Sequence, residues 1–133
     1  MAGGLVTRTV TIISQGANGK TLSSTYVVTG NEETNLSQLI PISGATYAME
    51  FAYATIQSVD IVSDQNITLT FHSSGGSIPA FTLVAGIPVH WDVDAKANNS
   101  TYFPNPFTAD ITSLVASANT IAANVNVSIM STV

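Results

Sequence analysis

Apolar and polar side chains alternate along several short segments of this chain, and this pattern constrains its fold more than any other feature. In residues 66–72 and 121–130 every second residue is apolar, and residues 55–62 form a further segment that, with residues 66–72, is the clearest predicted strand pair of the chain. Alternate side chains of a β-strand point to opposite faces of a sheet, so the pattern is typical of strands with one buried face. About eight such segments with short connections predict an all-β fold, an antiparallel β-sandwich of jelly-roll-like form.

Turn signals divide the segments from one another. The pair Asn18-Gly19 supplies the positive φ angles of a tight reversal and predicts a β-hairpin between residues 5–14 and 20–29. Residues 34–42 are ambiguous, because their apolar spacing suits a helix although a proline interrupts it. No linker interrupts the pattern, so residues 1–133 are predicted to form a single β-sandwich domain.

The chain carries very little charge. Of its 133 residues 8% are charged, 3 basic and 8 acidic, where an average soluble chain has about 25%. Three scattered basic residues cannot displace counterions from a phosphate backbone, so no nucleic-acid partner is expected. No apolar run of membrane-spanning length and no signal-peptide pattern occurs, so neither a membrane partner nor secretion by the usual route is expected. The absence of cysteine excludes disulfides and zinc-thiolate sites.

No constellation of catalytic residues stands out. A serine hydrolase needs a nucleophile, a histidine base and a carboxylate, and no Gly-x-Ser-x-Gly motif is present. His72 and His90 are interpreted as ordinary strand residues rather than bases or metal ligands. The pattern that begins at Asp92 and Asp94 resembles the start of a calcium loop, but Lys96 occupies a ligand position. We therefore interpret these residues as the start of a solvated loop. We therefore expect no enzymatic activity, no catalytic residue, no metal and no cofactor.

Trp91 has two possible interpretations. It shares one face of a predicted strand with Ile87 and Val89, which favours a core anchor. In the other interpretation, Trp91 and the tyrosines form an exposed platform that stacks on sugar rings. A carbohydrate- or receptor-binding module of a phage tail or cell-surface assembly therefore stands as the alternative function.

The second half of the chain resembles a known family. Residues 81–91 (FTLVAGIPVHW), a polar loop, residues 105–115 (NPFTADITSLV) and a final strand are similar to the cement or decoration proteins of tailed bacteriophage virions, over residues 59–130. The resemblance implies a jelly-roll-like sandwich that binds the outside of a capsid and joins neighbouring capsomers, with no catalytic residues. The expected partners are the major capsid protein and copies of the chain itself, and the expected location is the capsid surface of the virion.

The longest predicted loop, residues 92–107, supplies candidate interface residues. Tyr102, Phe103 and Phe107 place aromatic area among turn residues that cannot all reach one small core. A surface poor in lysine and glutamate costs little free energy to desolvate, which suits tight assembly. We therefore expect this loop and the sheet edges to contact other subunits. In the alternative, Phe103 and Phe107 only cap the end of the sandwich.

Overall fold

The computed structural model describes residues 5–132 except residues 75, 78–79, 100, 102 and 119–120. In this part of the chain the regular structure is almost entirely antiparallel β, with eleven strands, one short α-helix and a single 3₁₀ turn. A four-stranded and a five-stranded sheet pack face to face, and a separate two-stranded hairpin accompanies them. The predicted all-β antiparallel sandwich is confirmed, with more strands than expected and a strand order that is not specific to a jelly roll.

The hairpin consists of β1 (Val6–Gln15) and β2 (Thr21–Gly30), paired over their whole length. The predicted hairpin is confirmed, but only Gly19 of the Asn-Gly pair has a positive φ, 81°, and its amide donates to the Gly16 carbonyl at 3.1 Å. At the other end, a Cβ on Gly30 would lie 2.6 Å from the carbonyl oxygen of Ser131. Only glycine lets the hairpin approach the last strand of the sandwich this closely.

The four-stranded sheet has the order β3-β11-β5-β9. Its members are β3 (Glu32–Ile40), β5 (Ile56–Ser63), β9 (Val89–Asp92) and β11 (Ala123–Ser131). The ambiguous residues 34–42 are thus mostly strand, since β3 pairs with β11 along its whole length and this pairing overrides the helical spacing.

The five-stranded sheet is built around β6 and β10. Its members are β4 (Ala45–Phe51), β6 (Ile67–Ser73), β7 (Gly76–Ser77), β8 (Phe81–Leu83) and β10 (Ile111–Ala118). Strands β5 and β6, which the sequence suggests as a pair, lie in different sheets. The connection between them is a corner, where the carboxylate of Asp64 accepts hydrogen bonds at 2.8 Å from the backbone and side-chain nitrogens of Asn124.

Aromatic rings fill one end of the core between the sheets. The rings of Phe51, Phe71, Phe81 and Phe107 contact one another mostly edge to face, with centroids 5.0 to 6.2 Å apart. This arrangement places ring edges against ring faces and is favourable beyond the area buried.

Trp91 belongs to the same core. Its side chain is buried, and its Nε1 donates a hydrogen bond to the Phe103 carbonyl at 3.0 Å. The core-anchor interpretation is confirmed. Ile87, which was expected on the same face, precedes β9 in a turn and is exposed.

The region predicted as the longest loop begins with a helix. After β9 the chain enters α1 (Val93–Asn98), whose N-cap is Asp92. The Asp92 side chain accepts a hydrogen bond from the Ala95 amide at 2.7 Å. Such a cap satisfies one of the amides that the first helical turn leaves without a partner, and the irregular part of the loop therefore starts only after residue 98.

Candidate functional site: the hairpin and the surface beneath it

One face of the hairpin packs on the outer face of the four-stranded sheet. The contact is made by an apolar cluster from the hairpin, α1 and β11: Val6, Val10, Tyr26, Val28, Val93 and Met130. Because side chains alternate along a strand, Arg8 lies on the same face as Val10. The apolar contact therefore places Arg8 and Tyr26 against the polar outer positions of the sheet.

A row of polar side chains crosses this outer face. The strand register sets Asn35, Ser128, Asp60 and His90 side by side on four neighbouring strands. Arg8 lies over the row, and its guanidinium donates to Asp60 at 2.8 Å and to Ser128 at 2.5 Å. Charge-assisted hydrogen bonds of this kind are about twice as strong as neutral ones, so Arg8 links the hairpin to β5 and β11.

His90 lies between two carboxylates. Its Nδ1 is 2.6 Å from Asp60 Oδ1, and its Nε2 is 2.7 Å from Asp92 Oδ2. Only the imidazolium form can donate from both nitrogens. The hydrogen bond to Asp60 raises the pKa of His90, burial opposes this, and Asp92 raises the pKa further, for a net increase. The geometry thus favours the imidazolium form of His90 over the neutral form.

Asp92 is buried beneath the hairpin. Besides capping α1, its carboxylate accepts hydrogen bonds from His90 and from the Tyr26 hydroxyl. Burial alone would raise the pKa of Asp92, but the hydrogen bonds from Tyr26, Ala95 and His90 outweigh it and lower the pKa. The interpretation of Asp92 as a solvated loop start is wrong, because the hairpin and α1 both cover it.

The side chains of Arg8, Tyr26, Asp60, His90 and Asp92 form one unit, which we call the hairpin network. Its two cations balance its two carboxylates, and burial together with Asp92 raises the pKa of the Tyr26 hydroxyl to about 12, so it remains a neutral donor. In the described part of the chain every buried side-chain nitrogen or oxygen has a hydrogen-bond partner. The network is therefore complete in itself and holds the hairpin against the sandwich.

The two histidines of the sequence are not brought together. His72 lies on β6 and His90 on β9, in different sheets. The described residues contain no group of three or more histidine, aspartate or glutamate side chains arranged to hold a metal ion. The interpretation of His90 as an ordinary strand residue missed the network. The sequence does place polar residues two apart on two strands, in His90-x-Asp92 and Ser58-x-Asp60. Only the strand register shows that these two pairs lie side by side.

The outer half of the hairpin extends beyond the sheet, and we call residues 11–25 the hairpin tip. All of its residues are exposed, including Ile12 at 51%, Ile13 at 67% and Leu22 at 75%. Because a strand rises about 3.4 Å per residue, the five residues 11–15 span about 17 Å. The tip has one charged residue, Lys20, at its turn. It is therefore a nearly charge-free ribbon with exposed aliphatic side chains.

The three candidate interface residues have different positions. Phe103 is 49% exposed and lines a groove of about 500 Å³ with Ile12 of the tip and residues of α1. Phe107 is 1% exposed and lies in the aromatic core. Its backbone amide donates a hydrogen bond to Asn105 Oδ1 at 2.9 Å. Its ring is not on the surface, which fits the alternative that it caps the sandwich. Tyr102 lies outside the described residues.

Comparisons with known proteins do not assign this chain to a family. A scan against protein families, a search of curated proteins and a search of solved structures each found no match to this chain. Among the described residues, no helix combines the length and apolar character needed to cross a bilayer.

The hairpin network predicts a stability maximum on the acid side of neutrality. The pKa of His90 is raised in the folded state, so its contribution is complete below the ordinary value of 6.5 and is lost as the pH rises through the raised value. The pKa of Asp92 is lowered, so its contribution is present above 3.8 and is lost as the pH falls through the lowered value. We expect the largest free energy of unfolding between pH 3.8 and 6.5.

Urea unfolding of the wild type and of His90→Gln across this range tests the prediction. The variant keeps a hydrogen-bonding side chain but cannot become a cation. We expect the decrease in stability above pH 6.5 to be much smaller in the variant. Equal slopes in the two proteins would show that His90 is not the titrating group.

Proposed function

We propose that this chain is a non-enzymatic structural protein of a virus particle, a cement or decoration protein. It binds the outer surface of the capsid and stabilises contacts between subunits of the major capsid protein. The observation that carries the proposal is the hairpin tip, on which the large aliphatic side chains of Ile12, Ile13 and Leu22 are exposed. The resemblance of residues 59–130 to decoration proteins supplies the kind of partner.

The energetics of the tip favour burial against another protein. Burying an exposed leucine or isoleucine contributes about 1.5–3 kcal/mol. The strands of the hairpin carry one charged residue, Arg8, which already pairs with Asp60. Burial of the two strands of the tip, apart from Lys20 at the turn, therefore removes apolar area from water without stripping charges of their hydration.

The hairpin network suits a cementing role because it joins the tip to the body of the chain. A flexible arm could bind a capsid subunit but would not couple that contact mechanically to the rest of the chain. Here Arg8 spans β5 and β11, and Tyr26 binds Asp92 on β9. A load applied at the tip thus reaches three of the four strands of one sheet.

The carbohydrate-binding alternative loses its main support in this fold. Its candidate platform was Trp91 together with the tyrosines, and the Trp91 ring is buried in the core with its Nε1 bonded to the Phe103 carbonyl. A sugar-stacking platform requires an exposed aromatic face.

Co-sedimentation with capsids stripped of this protein tests the proposal. We expect the double variant Ile12→Ser/Leu22→Ser to bind at least about 100-fold more weakly, because each change removes about 1.5–3 kcal/mol of burial. The matched control is Leu39→Ser, which changes a residue of similar exposure on β3. Wild-type attachment should persist in molar salt, since apolar contacts are poorly screened.

Two results would contradict the proposal. The first is the absence of wild-type co-sedimentation with the capsid at any salt concentration. The second is an equal loss of binding in the tip variant and in Leu39→Ser, which would mean that the tip has no special role. Release of the wild type by salt alone would show that ion pairs rather than apolar contacts hold it.

A further inference from the structure

The first strand of the hairpin has a free edge. Within the described residues β1 pairs with β2 on one side, and no strand pairs with its other side. Instead, a groove of about 450 Å³ runs along Arg8 to Ile13, with Asp60, Pro88 and His90 on its far side. An open strand edge of this length is a template for pairing with another strand.

The hydrogen-bonding groups of this edge can be assigned from the hairpin ladder. The Gly16 amide donates to the Lys20 carbonyl at 2.9 Å. Directly bonded pairs alternate along an antiparallel ladder, so the even-numbered residues of β1 bond to β2. The amides and carbonyls of Thr9, Thr11 and Ile13 therefore point towards the free edge.

We propose that this edge pairs antiparallel with β1 of a second copy of the chain, around a two-fold axis near Ile12 and Ile13. The inference rests on the proposed function, in which the hairpin tip is the assembly surface, and it identifies one partner of that surface. A two-fold axis matches each outward amide with an outward carbonyl automatically, because both copies present the same row.

Charge distribution favours a second copy as the occupant. The whole chain has a net charge of −5, while the tip carries only the positive Lys20. Antiparallel pairing around Ile12 and Ile13 keeps the two Lys20 side chains at opposite ends of the contact, and the only charge on β1, Arg8, is already bonded to Asp60. Two copies can therefore pair along this edge without bringing like charges together.

The size of the contact sets its strength. A stable protein interface buries about 800 Å² on each partner, and pairing over the exposed half of one strand covers less. We therefore expect a concentration-dependent dimer in solution. Copies held close together on a capsid would pair more completely, because tethering raises their effective concentration.

Single cysteines provide a direct test, because the chain has no cysteine of its own. Cysteine is introduced separately at Thr11, Ile12, Ile13 and Ser14, and disulfide formation is followed under mild oxidation. In a two-fold antiparallel pair only the position at the axis meets its own copy within the Cα separation of about 4.4–6.8 Å that disulfides require. We expect one position to crosslink at least tenfold faster than the control Ser37→Cys, an exposed site on the edge strand β3.

Proline substitutions test whether the β1 edge is responsible. Ile13→Pro removes an amide that faces the free edge, whereas Ser23→Pro removes the corresponding amide of the directly opposite residue on the outer edge of β2. In sedimentation equilibrium the wild type should rise from 13.8 kDa towards twice that mass with increasing concentration. We expect Ile13→Pro to abolish the rise and Ser23→Pro to keep it.

The outcomes separate this inference from the proposed function. A chain that stays monomeric, with no tip cysteine crosslinking faster than the control, overturns the pairing even if it binds capsids. Equal loss of the dimer in both proline variants also overturns it. A dimer with the expected crosslinks that fails to bind capsids supports the pairing and overturns the capsid role.

Discussion

Replacing Phe107 with alanine is expected to lower the free energy of unfolding by about 3–5 kcal/mol. The ring is almost completely buried and contacts the rings of Phe51 and Phe71 at centroid distances of 5.0 Å. Loss of the ring removes its burial and leaves a cavity that rigid β-strands on both sides cannot close. A loss of this size is a large share of the total stability of about 5–15 kcal/mol that such domains have.

Phe103→Ala is the matched control for this prediction. Phe103 lies four residues earlier in the same loop, but about half of its side chain is exposed. Its bond to Trp91 uses the backbone carbonyl, which alanine retains. We expect a change within about 0.5 kcal/mol, as for ordinary surface positions. Similar losses in both variants, measured by urea unfolding, would contradict the different burial of the two rings.

The strands were predictable because their alternation is local. β6 and β11 place every second residue in the core, as the sequence indicates. β3 was ambiguous, since its helical spacing is overridden by pairing with β11, which is about ninety residues away in the sequence. A local pattern carries no information about such a partner. The assignment of β5 and β6 to different sheets could not be predicted for the same reason.

The hairpin network was beyond prediction for a related reason. Asp60, His90 and Asp92 lie on the polar side of their strands, where solvent exposure is the ordinary expectation. The hairpin covers that side, so Asp92 is buried although its strand pattern predicts an exposed carboxylate. The prediction failed because a third layer covers the outer face of the sandwich, and only the sandwich itself follows from the alternation.

Asp92→Ala is expected to cost about 3–5 kcal/mol of folding free energy, the typical effect of breaking a buried charged pair by removing one partner. The carboxylate accepts from Tyr26, His90 and the Ala95 amide. Its removal leaves the His90 cation with a single carboxylate, the Tyr26 hydroxyl without an acceptor and α1 without its N-cap. The loss should exceed that of an N-cap alone, which is about 1 kcal/mol.

Asp94→Ala and Tyr26→Phe separate these contributions. Asp94 is exposed in the first turn of the same helix, so its removal tests the general effect of an acidic residue there and should change stability by less than about 1 kcal/mol. Tyr26→Phe removes only the hydroxyl. In a double-mutant cycle with Asp92→Ala its effect should largely disappear, because the hydroxyl has lost its acceptor.

Hydrogen exchange of the hairpin amides shows where the stability is lost. If Asp92 holds the hairpin to the sheet, Asp92→Ala should accelerate exchange at Val10 and Val28, which are buried against β11, much more than in the central strands of the sandwich. Local opening of this kind needs less free energy than global unfolding. Equal acceleration throughout the chain would mean that Asp92 supports the whole fold and that the hairpin does not open separately.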